Sequence, residues 1–411
     1  MKDWQPHGLP SPHIVSDRSA TYVPAVDGLR GIAILLVLYY HAPFLFRNLP
    51  EFSTQLSPWA LLGVIGKMSL GGWMGVDLFF VVSGFLITTI LLHMRDRGGS
   101  VLVFWGRRGL RILPLAMLYL LVLFVLTWLG DPMQMLPPFE GWAWYALYLG
   151  NIHIALYGWQ PLAIMILWSL AIEEQFYLVW PVFVRACSRH QLLWWSGGIV
   201  AVAPVIRAIM LTAADYPATY VFTLCRLDGL AAGAVVAVIF GNHTWQAEAA
   251  RLCKKLAPFA SVVLLMTLLV PFSPSLPETR PWFFSVFGYS WIAMSFAILL
   301  GASLSAEGRV GAILNSRVLI FLGKRCYGLY LWHVLIAGCV TAGLQPFQVG
   351  FYAHTFLWLA ALVIIASGSW LLFEEPILRL KRYLSYVDNQ PVTFPQFRGP
   401  LAKPLPSQLR T

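Results

Sequence analysis

Charge is what this sequence is short of. Only 11% of its 411 residues are Asp, Glu, Lys or Arg, against about a quarter in soluble globular chains. So few ionised groups cannot cover a water-facing surface, which excludes an ordinary soluble enzyme. Cysteine is scarce as well. Cys187, Cys225, Cys253, Cys326 and Cys339 are scattered, odd in number and without metal-ligand spacing, so neither a disulfide framework nor a metal site is expected. A cleavable leader is also missing: residues 1–22 are polar and proline-bearing, and no small-residue cleavage site follows the first apolar run. That run is expected to be a retained helix. No internal repeat is evident, which weakens transporter architectures built on repeat symmetry.

What the chain has instead is apolar length. Runs of membrane-spanning size fall near 29–46, 71–93, 110–129, 163–184, 193–211, 221–240, 256–272, 284–303, 318–342 and 352–373. A helix needs about 20 residues to cross the hydrocarbon core. The expected fold class is therefore all-α: a polytopic integral membrane protein of about ten transmembrane helices, with the lipid bilayer as its first partner. Eighteen Trp and 26 Phe suit aromatic belts at the two interfaces. The formal charge of +10 lies in short clusters between apolar runs, where cations set membrane orientation; nucleic acid is not expected as a partner.

One further candidate, 142–157, is short and rich in Trp and Tyr. Parity decides its nature. The stretch Arg95–Arg111 is the most basic in the chain and belongs in the cytoplasm, with the N-terminus on the same side. If 142–157 does not cross, the clusters around Arg185, Lys254, Arg317, Arg325 and Lys381 also face the cytoplasm. If it crossed, every one of them would face out. Ten spans are therefore predicted, with 142–157 a short re-entrant or interfacial segment on the outer side, tolerable only where protein covers its backbone. Residues 1–22 then form a cytoplasmic N-terminal segment and 23–384 the transmembrane domain. Residues 385–411, with five prolines after Val387, form a cytoplasmic tail of disordered composition. The charge pattern fits a multi-pass membrane protein with both termini cytoplasmic.

Ionisable residues inside a bilayer cost at least about 2.5–3.5 kcal/mol each and are functional candidates by default. His41 falls in the outer third of the first span, Asp77 in that of the second, and Glu173 and Glu174 near the middle of the fourth. Arg226 and Asp228 lie in the outer half of the sixth, and His333 just past the middle of the ninth. Each alone has a plain structural explanation: Arg226 and Asp228 pairing with each other or with neighbours, a histidine satisfied by packing. So many at similar depth favour a shared polar cavity.

A second polar set lies toward the cytoplasm. Arg30 opens the first helix, and Arg107, Arg108 and Arg111 precede the third run. Positive-inside anchoring accounts for part of this. Arg108 and Arg111 are three apart, however, and at a helix start they share a face. Paired guanidinium forks suit a phosphorylated ligand. His41 stands eleven residues after Arg30, about 16 Å along a helix, so one extended ligand can touch both.

These motifs resemble those of the membrane acyltransferase type three family. Val26-Asp27-Gly28-Leu29-Arg30-Gly31 leading to His41 is similar to the family's Arg-x10-His signature. Gly75-Val76-Asp77-Leu78-Phe79-Phe80-Val81-Val82-Ser83-Gly84-Phe85-Leu86-Ile87 is similar to its second-helix motif nearly letter for letter. The arginine-rich stretch to Pro114 and the run from Trp168 through Glu173-Glu174 to Tyr177 follow in the family's order. So do Arg226-Leu227-Asp228-Gly229, the run from Tyr327 to His333, and Glu374-Glu375-Pro376. One departure is Gly328, where the resemblance leads us to expect a small hydroxyl residue.

The resemblance implies O-acylation, in the first place O-acetylation, of a carbohydrate: a bacterial surface polysaccharide or its lipid-linked precursor. It implies acetyl-CoA as a cytoplasmic acyl donor and no metal. His41 corresponds to the family's catalytic histidine, with Glu173 or Glu174 expected to orient its second ring nitrogen. Arg30, Arg108 and Arg111 are expected to hold coenzyme A phosphates. Asp77, Arg226, Asp228, Tyr327 and His333 are expected on the acceptor side or as structural polar groups. The variant with an eleventh helix and a fused soluble hydrolase-like domain is not expected here. Succinyl or another short acyl group, direct transfer or an acyl-histidine, and the oligomeric state stay open. A glycolipid transporter or flippase also fits ten helices around a charged cavity; a scaffold needs no such charges.

Overall fold

The computed structural model describes residues 23–46, 71–130, 141–213, 216–269, 281–347 and 349–384. The expected segments 1–22 and 385–411 lie outside the described residues. Among those residues there is no strand.

Ten helices of fifteen residues or more carry the structure: α1 (Pro24–Phe46), α2 (Met74–Asp96), α3 (Val101–Trp128), α4 (Leu167–Ala186), α5 (Arg189–Ala213), α6 (Thr223–Phe240), α7 (His243–Leu269), α8 (Tyr289–Ser303), α9 (Arg317–Leu344) and α10 (Phe351–Ser369). Among the described residues, nine helical segments are long and apolar enough to cross a membrane. They include α1 to α6 and α8 to α10, several extended by short flanking turns. The remaining helix, α7, coincides in its second half with the expected run 256–272. Arg251, Lys254 and Lys255 ride on its first half, exposed at helical spacing. Charges expected in a loop thus extend a helix into the aqueous margin.

A similar shift occurs in α3. The basic stretch Arg95–Arg111 is not one loop: the Ser100 side chain caps α3 by accepting from the Leu102 N–H at 3.3 Å. Arg107, Arg108 and Arg111 are therefore held on a helix and not on a mobile connection.

The centre of the bundle is α2 and α6. Buried residues make up 72% of the most apolar window of α2 but only 17% of that of Phe351–Tyr383. That contrast separates the core from the lipid-facing rim, where Trp194, Phe259 and Ile364 stand exposed. Lipid tails are as apolar as leucine, so helices associate in a membrane through close packing and polar contacts. The α2–α6 seam does this with reciprocal glycines. A Cβ on Gly84 would overlap the Leu230 carbonyl, and one on Gly233 would overlap that of Val81. The α1–α9 seam is built likewise: Gly323 lies on the Asp27 carbonyl, and Gly31 on that of Leu319.

Segment 142–157 forms two short helices, Trp142–Ala146 and Gly150–Tyr157, neither long enough to span. Tyr148 turns between them in a left-handed conformation (φ 57°), unfavourable for a bulky residue. Gln175 of α4 holds that turn, donating to the Tyr148 carbonyl and to Asn151 Oδ1, both at 2.9 Å. Asn151, fully buried, donates in turn to Thr223 Oγ1 at 2.8 Å. Protein thus holds the turn between the two helices, while Leu147, Leu156 and Tyr157 stand exposed.

Gly233→Val is expected to destabilise the protein by about 1–3 kcal/mol through overpacking. Gly343→Ala, at a glycine with open space around it, is expected to cost nothing. Thermal unfolding of the two variants in detergent checks this: equal midpoints would mean that the α2–α6 seam relaxes freely.

Candidate active site

α1 sets the axis of the site, because Arg30 and His41 are on the same rigid element. The His41 Nδ1 lies 2.9 Å from the Val37 carbonyl, one turn back. A carbonyl only accepts, so Nδ1 carries the proton and the Nε2 lone pair is left for chemistry. On α9, His333 repeats the arrangement, its Nδ1 donating to the Tyr330 carbonyl. Trp358 of α10 clamps that turn by donating to the His333 carbonyl at 2.8 Å. The two imidazole rings meet edge to face, their centroids 4.8 Å apart. His333 is fully buried, and its Nε2 has no hydrogen-bond partner among the described residues. A buried acceptor without a donor costs about 1–3 kcal/mol.

Beside Arg30 lies a cavity of about 80 Å³, walled by α1, α2, α4 and α9; Tyr330, on its lining, has its ring centroid 5.7 Å from that of His333. Arg30, Ser83, Glu173, Cys326, Tyr327 and Tyr330 contribute its polar lining. The Tyr330 hydroxyl donates to the Ile166 carbonyl at 2.8 Å, so Ser169 must donate to it across their 2.7 Å contact. Tyr327 donates to the Ile112 carbonyl at 2.7 Å, bridging α9 to α3.

The carboxylates are not where the sequence led us to expect. Ser83 donates to Glu173 at 2.7 Å. No hydrogen bond joins Glu173 or Glu174 to His41 among the described residues. The reason is helical geometry: the second ring nitrogen of His41 is already taken by its own helix. Glu173 and Glu174 instead face the cationic end, where Arg108 is the cation acting on both. Glu174 Oε1 is buried without a hydrogen-bond partner. The Arg108 guanidinium lies over the Tyr177 ring, 4.5 Å from its centroid.

The cationic end draws on three parts of the chain. Arg111 feels the charges of Arg30 and Arg108, and Lys381 those of Arg107, Arg108 and Arg111. Arg107 fixes the last turn by donating to the carbonyls of Lys381 at 3.1 Å and Leu384 at 2.7 Å. Asp27 is the weak counter-ion of Arg30, 3.5 Å away. Cations gathered here outnumber the acids and present several donors together. Lys381 was counted in the sequence only as an orientation signal; nothing local marks it as a site residue.

This chain belongs to the acyltransferase type three family. The family's model, an acyltransferase domain, matches residues 23–374, which takes in both ends of the site just described. A peptidoglycan O-acetyltransferase of Listeria monocytogenes is 29% identical over 388 residues, 90% of this chain and 57% of that protein. A Staphylococcus aureus protein provisionally named an O-acetyltransferase is 27% identical, covering 92% of this chain and 60% of its own. A Bacillus subtilis protein provisionally named a peptidoglycan O-acetyltransferase is 29% identical over 87% and 55%. The chain thus spans less than two thirds of the length of these curated relatives. No solved structure gives a significant match.

The remaining charged residues of the family's motifs form two ion pairs beside the cavity. Arg226 and Asp228, two apart on α6, do not pair with each other. Arg226 bonds Asp77 of α2 at 2.7 Å, and Asp228 bonds Arg207 of α5 at 2.8 Å. They point to different neighbours because two residues on a helix are about 200° apart. Arg207 also donates to the carbonyls of Val286 and Cys225 and to Ser290, so its pair is closed. Sequence reasoning missed Arg207, although its place within the apolar run 193–211 was the available signal. The Arg226 guanidinium sits among aromatic rings, 4.3 Å from the Tyr289 centroid and 4.9 Å from that of Tyr220. Gly328 has a structural counterpart too: a Cβ there would lie 3.2 Å from Glu374 Oε1, so a hydroxyl at this position would meet that carboxylate.

Removing one partner of a buried ion pair strands the other charge, at a cost of about 3–5 kcal/mol. Asp77→Ala is expected to lower stability by that order and to reduce the amount of protein in membranes. Adding Arg226→Met in the same chain is expected to recover most of the loss, measured as a double-mutant cycle on thermal midpoints. Additive losses would mean that the pair is not what ties α2 to α6.

Proposed function

We propose that this protein is a membrane O-acyltransferase that moves an acyl group, acetyl in the first place, from cytoplasmic acyl-coenzyme A to a hydroxyl of a carbohydrate. The observation that carries this reading is that one helix, α1, holds both Arg30, on the cavity lining, and His41, whose ring meets that of His333. The Arg30 end suits phosphates, the His41 end holds an imidazole with a free lone pair, and the length between suits an extended donor. Arg30, Arg108, Arg111 and Lys381 take the coenzyme A phosphates through charge-assisted hydrogen bonds. The cavity takes the chain that links those phosphates to the thioester, within reach of the Ser83, Ser169 and Tyr330 hydroxyls. His41 Nε2 is the reacting atom. An imidazole at this position supplies the base or nucleophile that acyl transfer to a hydroxyl requires.

Peptidoglycan comes first among the acceptors considered, since two of the relatives carry it in their names. A surface polysaccharide or a lipid-linked precursor has the same reacting group. The basic clusters support a bacterial plasma membrane location with both termini in the cytoplasm. Asp77 and Arg226 hold the acceptor half of the bundle in shape, and Glu173 and Glu174 balance the cationic end.

The test is transfer of labelled acetyl from acetyl-CoA in membranes containing the protein, read as alkali-labile label in saccharide. His41→Ala is expected to lower transfer by about 100-fold or more. Equal label in wild type and variant would remove His41 from the chemistry. No label in either, with a competent acceptor present, would overturn the acyltransferase reading in favour of transport. Arg108→Ala and Arg111→Ala are each expected to raise the KM for acetyl-CoA about tenfold or more, the worth of one charged hydrogen bond. A KM unchanged in both would mean that the phosphates bind elsewhere.

A further inference from the structure

One imidazole cannot be both acyl carrier and base. Once an acyl group occupies His41 Nε2, that lone pair is gone, and Nδ1–H is committed to the Val37 carbonyl. The acceptor hydroxyl then needs a different atom to receive its proton. His333 has one. Its Nδ1 is bound to the Tyr330 carbonyl, which leaves Nε2 as an unprotonated acceptor. That nitrogen is buried and has no partner, and its ring lies 4.8 Å from the ring of His41. Direct transfer in a ternary complex uses one imidazole and leaves the lone pair on His333 without a purpose.

We propose that the two histidines divide the reaction: His41 Nε2 carries the acyl group, and His333 Nε2 is the base that activates the acceptor hydroxyl. This rests on acyl transfer from coenzyme A as read above. In the first half, the His41 Nε2 lone pair attacks the thioester carbonyl carbon. A C–N bond forms, the C–S bond breaks, and coenzyme A thiolate leaves with the electron pair. In the second half, the sugar oxygen attacks the same carbon while its proton passes to His333 Nε2. The C–O bond forms, the C–N bond breaks, and the electron pair returns to His41. The proton on His333 then neutralises the thiolate by way of solvent, so the sum is an ester and free coenzyme A.

The arrangement has a physical advantage for a membrane enzyme. The acyl group waits on α1, about 16 Å along the helix from Arg30, and coenzyme A is free to leave before the acceptor arrives. An acceptor hydroxyl that reaches both rings gives its proton to one nitrogen while it attacks the carbonyl carbon held by the other.

The experiment is isotope exchange between acetyl-CoA and labelled free coenzyme A, run without acceptor on purified full-length protein. Transfer to the saccharide fraction of host membranes is measured alongside. Wild type is expected to exchange, the mark of an acyl-enzyme. His41→Ala is expected to lose exchange and transfer together. His333→Ala and His333→Gln are expected to keep exchange within about threefold and to lose transfer by about 100-fold, a split that a merely structural role would not produce. Wild type that transfers without exchanging overturns the division of labour and leaves the acyltransferase reading intact. Wild type that does neither overturns both. Loss of exchange in both His333 variants, in protein that elutes as wild type does, assigns His333 to the first half or to the fold and overturns the proposal.

Discussion

The structure depends on burying charge in a bilayer only where a counter-charge meets it. α6 carries Arg226 and Asp228 on opposite faces, and each finds its partner on a different helix. In a medium that cannot solvate an ion, such a pair fixes distance and rotation at once. α6 is therefore pinned between α2 and α5, and the glycine seam lets α2 approach it to backbone contact. From that fixed α2, Ser83 reaches Glu173 of α4, and the cavity wall follows. The ion pairs do no chemistry themselves. They decide where the walls stand.

Along the cavity the polarity changes in one direction. Guanidinium groups and Lys381 gather at one end, with Glu173 and Glu174 against them. Tyr327 and Tyr330 line the middle, both hydroxyls already committed to backbone carbonyls. Among the described residues no carboxylate is hydrogen-bonded to either imidazole, and each Nδ1 is held by its own helix. A histidine without a neighbouring anion stays neutral in an apolar site. A neutral imidazole is the form with a lone pair to use. The departure from the expected histidine–carboxylate pairing thus has a chemical consequence: the carboxylates balance charge at the cationic end, and the free lone pairs lie with the two histidines.

Much of this was legible along the chain. The ten apolar runs each became a long helix, since a hydrocarbon core leaves a backbone no other way to satisfy its hydrogen bonds. Segment 142–157 forms two helices too short to span. Arg30 and His41 could be placed relative to each other because one helix carries both. Errors arose where the deciding contact came from elsewhere. Ser100 starts α3 ahead of the apolar run and so brings Arg107, Arg108 and Arg111 onto one helix. Arg207 was missed because its partner, Asp228, lies on another helix.

The sequence by itself determined what must be buried, how long each element is, and which groups share a helix, because these follow from local periodicity and the cost of ionised groups in lipid. The tertiary structure decided the partners. Glu173 turned to Ser83, Arg226 to Asp77, and His333 to the ring of His41. A helix fixes its own residues to within a turn, but which face meets which neighbour depends on packing among elements far apart in the chain. Partners joined across tens or hundreds of residues leave no trace in spacing, and the chemistry of this site lies in those partners.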